Sequence, residues 1–582
     1  MPNMIQAARE QIAALTQAAY EKAAAAGKLP AGKALQGRVE IPKDVQNGDY
    51  ASSYAMAGAK NFHMAPKTIA QILADYMDLE GSYFSSVEIA GPGFMNFRLG
   101  SKWYGDVLTQ IEAEGPLYGG SDEGKHQKVM VEFVSANPTG PMHMGNARGG
   151  VLGDTLANVL ARDGYDVWKE FYVNDAGNQI HKFAMSIDAR YRQIIDGEEN
   201  VPFPEDGYQG DDIKALAQAI YDQYGDSWKA LPEEERLDRM SDFGLKVNIP
   251  NMKKDLQRYR IDYDQWFYES SLHESGFVKD TVDALTARGL TYEKDGALWL
   301  KTSQLLREKY LSEGKTQAQV DKLELKDDVL RRANGYYTYF AADVAYHRNK
   351  LEVRGFDKTV NVWGADHHGH VARLQAALDG LGLDGSHRVV VVLMQLVNLL
   401  QDGKPVRMSK RTGKAISLHD LLDEISVDAA RYFFNSREAT SALDFDLDLA
   451  VRQDSENPVY YIQYAHARIC SLIRIVGETG AHVRPASEVN FSLLTDETEI
   501  ALIKSLSQYP EEVHLAARDY DPSRINRYLA DLAGNFHRFY NACRIKGEEP
   551  ELLAARLKLA DSTRSVLKNG MGLLGIEAPE RM

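Results

Sequence analysis

The sequence predicts a three-part α/β chain: a small N-terminal α/β unit over residues 1–120, a central parallel-sheet domain over 121–430, and an all-helical part over 431–582. Three observations carry this. Between about 128 and 174, and again from about 336 to 393, β-rich runs alternate with helical stripes, the pattern of βαβ units joined by right-handed crossovers. Charged, mostly helical text with long polar loops interrupts that pattern over about 180–300 and reads as a helical insertion. From about 455 onward, helical periodicity continues with few strand signals.

In chain order, Ala/Leu-rich helical patterns lead into Val87-Glu88-Ile89-Ala90. The turn Gly91-Pro92-Gly93 follows, then residues 94–99, which alternate like a half-exposed strand. Gly115-Pro116 and Gly119-Gly120 mark the first boundary. Residues 129–134 are β-rich. Leu152, Leu156, Val159 and Leu160 then form a helical stripe that Gly164 stops, and 165–173 is the next strand. The β/α pattern returns at 336–343, 359–364 and 389–393.

Composition is that of a soluble globular chain, with 44% hydrophobic and 26% charged residues. The net charge of −16 argues against broad sequence-independent nucleic-acid binding, but leaves room for a large RNA held by local basic faces such as 407–414 and 538–546. The two cysteines, Cys470 and Cys543, are far apart, so a structural zinc is not expected and a reducing compartment is. The N-terminus carries Arg9, Glu10, Glu21 and Lys22 and lacks the apolar core of a secretory signal. The longest apolar run, 389–400, is broken by Gln395 and Asn398 and is too short to span a bilayer. The expectation is a cytoplasmic protein with no membrane partner.

Two motifs carry chemistry. In Pro138-Thr139-Gly140-Pro141-Met142-His143-Met144-Gly145-Asn146 a strand ends, turns and opens a helix, aiming free backbone N–H groups at an anion. Gly145 lets a flat base or sugar approach the backbone, and His143 can donate to a phosphate oxygen. A bare His-x-Gly-Asn is more often a helix start with a structural histidine; the Pro-Thr-Gly-Pro turn before it tips the reading towards a ligand. Downstream, Arg407-Met408-Ser409-Lys410-Arg411-Thr412-Gly413-Lys414 is a basic loop able to close over a triphosphate, with Lys410 facing charge that builds on a leaving pyrophosphate. Alone, such a loop is usually a solvated surface. Glu132 interrupts an apolar strand, where a carboxylate is costly without a cation. Tyr339 and Asp343 are four apart and share a face if helical. The cluster His367-His368-Gly369-His370 invites a metal reading, but it has no obvious acidic or cysteine partner, and no protein-bound metal is expected.

Together the two motifs resemble the halves of the class I aminoacyl-tRNA synthetase active site, and the text around them resembles the arginyl-tRNA synthetases. The resemblance runs in order through residues 48–52, 93–99, 131–153, 172–179, 364–370, 408–413 and 572–582, and so spans essentially the whole chain. It implies a Rossmann-like catalytic domain between an N-terminal domain that touches tRNA and a helical anticodon-binding domain, working as a monomer. It implies ATP with Mg²⁺ as the activating substrate, the metal held mainly by phosphates, with L-arginine and tRNA as the other partners. His143, Asn146 and Lys410 would be catalytic. His143, Gly145, Asn146, Met408, Ser409 and Lys410 would hold ATP. Glu132, Ser135, Asn137, Tyr339, Asp343 and His367 would line the arginine pocket, with Ser135 and Asn137 at the α-amino and carboxylate end. Bound tRNA would be needed before activation. Two departures stand out. Asn146 occupies a place where the family often has His, and Arg407 opens the second motif where Lys is common.

Asp428-Ala429-Ala430-Arg431 resembles the start of the family's anticodon-binding bundle, with Ala430 for the usual Leu. Most aromatics in the helical part fit a core. Tyr540, Asn541 and Arg544 are the candidates for contacts to unpaired bases and phosphates, and Asn96, on the alternating N-terminal strand, is a further tRNA candidate. Rival readings are a glutamate-specific class I synthetase, whose pocket would need a cation, a lysine-specific one, which the paired carboxylates would also suit and from which only the whole-chain resemblance separates this sequence, a small-molecule nucleotidyltransferase, which would not need the helical part, and a catalytically silent tRNA-binding paralogue, against which His143, Gly145 and Lys410 argue.

Overall fold

The computed structural model describes residues 3–32, 35–406 and 416–582. An antiparallel sheet of order β1-β2-β4-β3, made of β1 (Val39–Glu40), β2 (Tyr50–Ser52), β3 (Phe84–Ala90) and β4 (Phe94–Leu99), builds the N-terminal unit with the helices Met4–Ala25 and Pro66–Asp75.

The centre is a parallel sheet of β5 (Lys128–Glu132), β6 (Asp166–Val173), β7 (Gln265–Tyr268), β11 (Lys358–Gly364) and β12 (Val389–Met394), in the order β12-β11-β5-β6-β7. β12 opens with a run of four valines, as expected of a parallel strand covered on both faces. The helix Met144–Arg162 is the crossover between β5 and β6. Gly153 lets it lie against the sheet, because a Cβ there would be driven into the Phe133 ring.

The stretch expected as one helical insertion is more divided. Three helices, Asn178–Asp196, Asp211–Tyr224 and Glu233–Arg258, share an apolar core of their own. The chain then re-enters the main sheet as β7. A hairpin of β8 (Thr291–Lys294) and β9 (Ala297–Leu300) follows, which β10 (Asp328–Arg331) joins. Strands of four residues are too short to show a period in the sequence. A second small sheet holds β13 (Val397–Gln401), β14 (Lys404–Val406) and β15 (Leu443–Asp446). Since β15 pairs in parallel with β13, the central part continues past the boundary expected at 430. The helices Pro458–Gly477, Glu497–Arg518, Ser523–Ala542 and Pro550–Leu574 then form the C-terminal bundle. One apolar core runs from the N-terminal helix through β5 and its crossover helix into this bundle. No described helix is long and apolar enough to cross a membrane.

Candidate active site

His143 is the N-cap of the crossover helix. Its Nδ1 accepts the Gly145 N–H at 3.2 Å, while Asn146 Oδ1 accepts the His143 N–H at 2.9 Å, so each side chain satisfies a backbone donor of the other's turn. Accepting at Nδ1 fixes the proton on Nε2, which is left to donate to a ligand. It also makes Asn146 first a cap, with its amide nitrogen still free to donate. The Leu418 N–H donates to Met142 O at 2.9 Å, and His143 bridges to Ser417. The first motif is therefore tied to the residues just after the second. A cavity of about 770 Å³ is lined by His143, Met144, Gly145, β13 and β14 residues, Ile416 and Asp444. Val406 and Ile416, which flank the second motif, both line it. Met408, Ser409 and Lys410 lie outside the described residues.

A second cavity of about 570 Å³ opens on the other side of His143. Ser135, Asn137, Asn146 and Gln179 are among its lining residues. Asn137 Nδ2 donates to Gln179 Oε1 at 2.5 Å. The chain enters this corner through two non-glycine residues with left-handed backbones, Val134 (φ 70°) and Ser135 (φ 43°). For a β-branched valine that conformation is strained, and such strain concentrates at working sites. Ser135 holds the corner in place: its hydroxyl donates to Glu132 Oε1 at 2.9 Å and accepts the Tyr172 N–H at 3.2 Å.

Glu132, at the end of β5, is 5% exposed and has a buried cation: Lys350 Nζ lies 2.6 Å from its Oε2. Asp343 lies on the helix Tyr339–Arg348, with Tyr339 one turn before it. Tyr339 is exposed, and its hydroxyl sits beside Gly177, next to the Gln179 helix. The phenol of Tyr172 feels both carboxylates. Burial first, then the charges of Glu269, Asp343 and Glu132, push it far above the ordinary tyrosine range. Glu132 is thus tied through Ser135 to the Ser135–Asn137 corner, and Asp343 acts on the same Tyr172 phenol from the neighbouring helix.

Asp343 Oδ2 meets His370 Nε2 at 2.5 Å and Oδ1 lies 3.5 Å from His347 Nδ1. Burial would raise the Asp343 carboxyl, but the His370 bond, together with the nearby histidines and the more distant Lys350 charge, outweighs it and holds the group below its usual range. The histidine at Asp343 is thus His370. His367, expected in the pocket, is more than half exposed, with its ring 5.9 Å from that of Trp363. Among the described residues no group of three His, Cys, Asp or Glu side chains could hold a metal ion.

In the C-terminal bundle the Arg468 guanidinium lies 4.0 Å over the Tyr540 ring, and Asn541 and Arg544 are exposed just beyond it. Asn96 differs from expectation. It is 6% exposed, on β4 between β2 and β3 and under Gly48, because this strand is covered on both faces, its neighbours Met95 and Phe97 being fully buried as well, and not half-exposed as expected. Sequence reasoning missed Lys350, since nothing in His347-Arg348-Asn349-Lys350 singles out a buried cation. It also missed Glu170 and Glu269 as buried acids, and took Tyr172 only as part of a matching stretch.

Three family models match in order: the arginyl tRNA synthetase N terminal domain over residues 8–99, the catalytic domain of class I (R) tRNA synthetases over 107–454, and the DALR anticodon binding domain over 462–582. The central match alone spans more than half of the chain. The chain belongs to the arginyl-tRNA synthetase family. An arginine–tRNA ligase of Acetivibrio thermocellus is 48% identical over 582 residues, covering all of both chains. One of Caldanaerobacter subterraneus subsp. tengcongensis is 49% identical over the same length, again covering all of both. The arginyl-tRNA synthetase structure from Thermus thermophilus superposes with a TM-score of 0.70 at 23% identity, covering 99% of this chain and all of that one, a likeness of fold.

Proposed function

We propose that this chain is an arginine–tRNA ligase that activates L-arginine with ATP and passes it to the 3′ end of its tRNA. The observation that carries the reading is His143, which lines two cavities at once. One, rimmed by β13, β14 and the flanks of the second motif, suits a nucleotide. The other leads through the Ser135–Asn137 corner towards Glu132 and Asp343 and suits an amino acid with a cationic side chain. A carboxylate entering from the second cavity would meet an α-phosphorus in the first beside the Nε2–H of His143 and the helix N-terminus, in line for displacement of pyrophosphate.

In this reading Ser135 and Asn137 take the α-amino and carboxylate end, Tyr339 closes over the side chain, and Asp343 meets the guanidinium with Glu132 behind it. His367 stands at the margin of that pocket. Gly145 and Asn146 border the nucleotide; Met408, Ser409 and Lys410 close on its phosphates, and Lys410 offsets the charge of the leaving pyrophosphate. Mg²⁺ arrives with ATP, held by the phosphates. Tyr540, Asn541 and Arg544 contact the tRNA anticodon end, and the N-terminal unit meets the tRNA elbow, where Asn96 reaches it only by leaving its covered position. The enzyme acts as a cytoplasmic monomer, with functional divisions near 120 and, beyond the expected 430, after β15.

The test is ATP–pyrophosphate exchange with arginine, lysine or glutamate, each with and without tRNA. Exchange with arginine alone among the three is expected. Exchange with lysine or glutamate and none with arginine would sink the assignment.

A further inference from the structure

The row of residues in register across the central sheet is polar at one level: Asn361 on β11, Glu132 on β5, Glu170 on β6 and Gln265 on β7. Both acids are buried, Glu170 completely. Two cations four residues apart serve this row. Lys350 Nζ donates to Glu132 Oε2 at 2.6 Å and to Asn361 Oδ1 at 2.9 Å, and lies 4.1 Å from the Tyr346 ring centroid. Arg354 donates to both oxygens of Glu170, at 2.8 and 2.5 Å, and to Gln265 Oε1 at 3.0 Å. What aims Lys350 inward is a π turn over Asn349–Val353 at the end of the Asp343 helix.

Charge matching follows. Lys350 has no exposed surface, and the Glu132 side chain has 6%. A buried carboxylate and ammonium in contact present almost no net charge to their surroundings. The Asp343 side chain is 28% exposed, and its partners at hydrogen-bond or ion-pair distance are histidines, His370 and His347. Glu269, which also acts on Tyr172, is 5% exposed with His273 at 3.5 Å. Among the described residues around the proposed arginine slot, Asp343 is thus the accessible carboxylate with no lysine or arginine at ion-pair distance, Lys350 acting on it only from farther off.

Resting on the ligase reading above, we propose that Lys350 is a positioning and specificity-determining residue. It neutralises Glu132 and locks the Glu132–Ser135 corner, so that the guanidinium of arginine is recognised by the charge of Asp343 and only by the shape and hydrogen bonding of Glu132. One negative charge then meets one positive charge. Glu132 without Lys350 would be an uncompensated second carboxylate, and Lys350 without Glu132 would repel the substrate.

The test is the arginine KM and kcat in ATP–pyrophosphate exchange for Glu132→Gln, Lys350→Met, the double variant and Asp343→Asn. Glu132→Gln leaves a buried cation beside the slot and should raise KM by roughly tenfold or more with a smaller change in kcat. Lys350→Met should impair KM comparably, or fail to fold, since it strands a buried carboxylate. The double variant replaces the ion pair with a neutral pair of similar volume. It should fold and bring KM back to within about threefold of the parent. A double variant as impaired as Glu132→Gln or Asp343→Asn would overturn the proposal, because the Glu132 charge would then contact arginine directly. The unsubstituted enzyme's exchange with arginine tests the ligase reading separately.

Discussion

Asp343 and His347 lie one helical turn apart and both resist protonation, Asp343 as the charged carboxylate and His347 as the neutral ring. His347 is fully buried. Burial first, then the Lys350 charge, lower its pKa to about 3 against an ordinary 6.5. The unfolded chain therefore takes up a proton near pH 6.5 that the folded chain refuses down to about 3. The stability gained by keeping His347 neutral is whole above pH 6.5 and is lost as pH falls through that window, amounting to about 2 kcal/mol already at pH 5. His347→Gln should remove that part of the slope, so the thermal midpoint of the variant should drop less between pH 7 and 5 than the parent's. Parallel pH curves would show that His347 is protonated in the fold. Asp343 bears on affinity instead. Asp343→Asn should weaken arginine binding by roughly 2–5 kcal/mol, the range for truncating one partner of a desolvated charge pair, and an unchanged arginine KM would remove Asp343 from the pocket. Both Glu132 and Asp343 could be suspected from sequence, since one breaks an apolar strand and the other shares a helical face with Tyr339. Lys350 could not. Nothing in its neighbours singles out a buried cation, and no periodicity announces the π turn that buries it.

The elements that carry the site were legible to different degrees, for reasons of length. The β5–helix–β6 unit showed itself because two β-rich runs of useful length flank a clear apolar stripe. The four-residue strand β7 did not, nor did the small sheets built from β8 to β10 and β13 to β15, although the second of these walls the nucleotide-sized cavity. The crossover helix Met144–Arg162 also depends on a residue that propensity would mark as a defect. Gly153 is mid-helix, where Ala is ordinarily favoured by about 1 kcal/mol. Here the added methyl would meet the Phe133 ring, in the residue that follows β5. Gly153→Ala should therefore destabilise by about 1–3 kcal/mol, the cost of overpacking a filled core. It should also lower kcat, because the helix cannot shift without moving His143 and Gly145 at its N-terminus. A Gly153→Ala enzyme more stable than its parent would mean that the helix does not press on Phe133 in this way.

Across the whole molecule, a buried arginine is a central joint between the catalytic part and the C-terminal bundle. Arg431, fully buried, donates from Nη2 to Asp154 on the crossover helix at 2.5 Å and from Nε to Leu574 O at the end of the last helix at 2.7 Å. Its Nη1 donates to Tyr259 O and Arg260 O, where the chain leaves the insertion for β7. Gly575 must be a glycine beside it, both for its left-handed backbone (φ 66°) and because a Cβ would strike the guanidinium. Asp428, three residues earlier, accepts from Arg260 at 2.5 Å, from Gln463 at 2.8 Å and from the Glu577 N–H at 3.2 Å. The Asp-Ala-Ala-Arg pattern seen in the sequence thus works as a clamp between the helix that carries His143 and the bundle that carries Tyr540. Arg431→Met fits the space but leaves Asp154 with Lys169 alone, at 3.2 Å, and orphans three carbonyls. Breaking a buried pair in this way costs about 3–5 kcal/mol. Because that energy lies between the two parts and not within either, the expected outcome is loss of joint unfolding. Calorimetry on the variant should show the C-terminal bundle melting ahead of the catalytic domain, with aminoacylation falling more than arginine KM rises. A single transition at the parent's midpoint would mean that the shared apolar core, without Arg431, suffices to hold the bundle to the active-site helix.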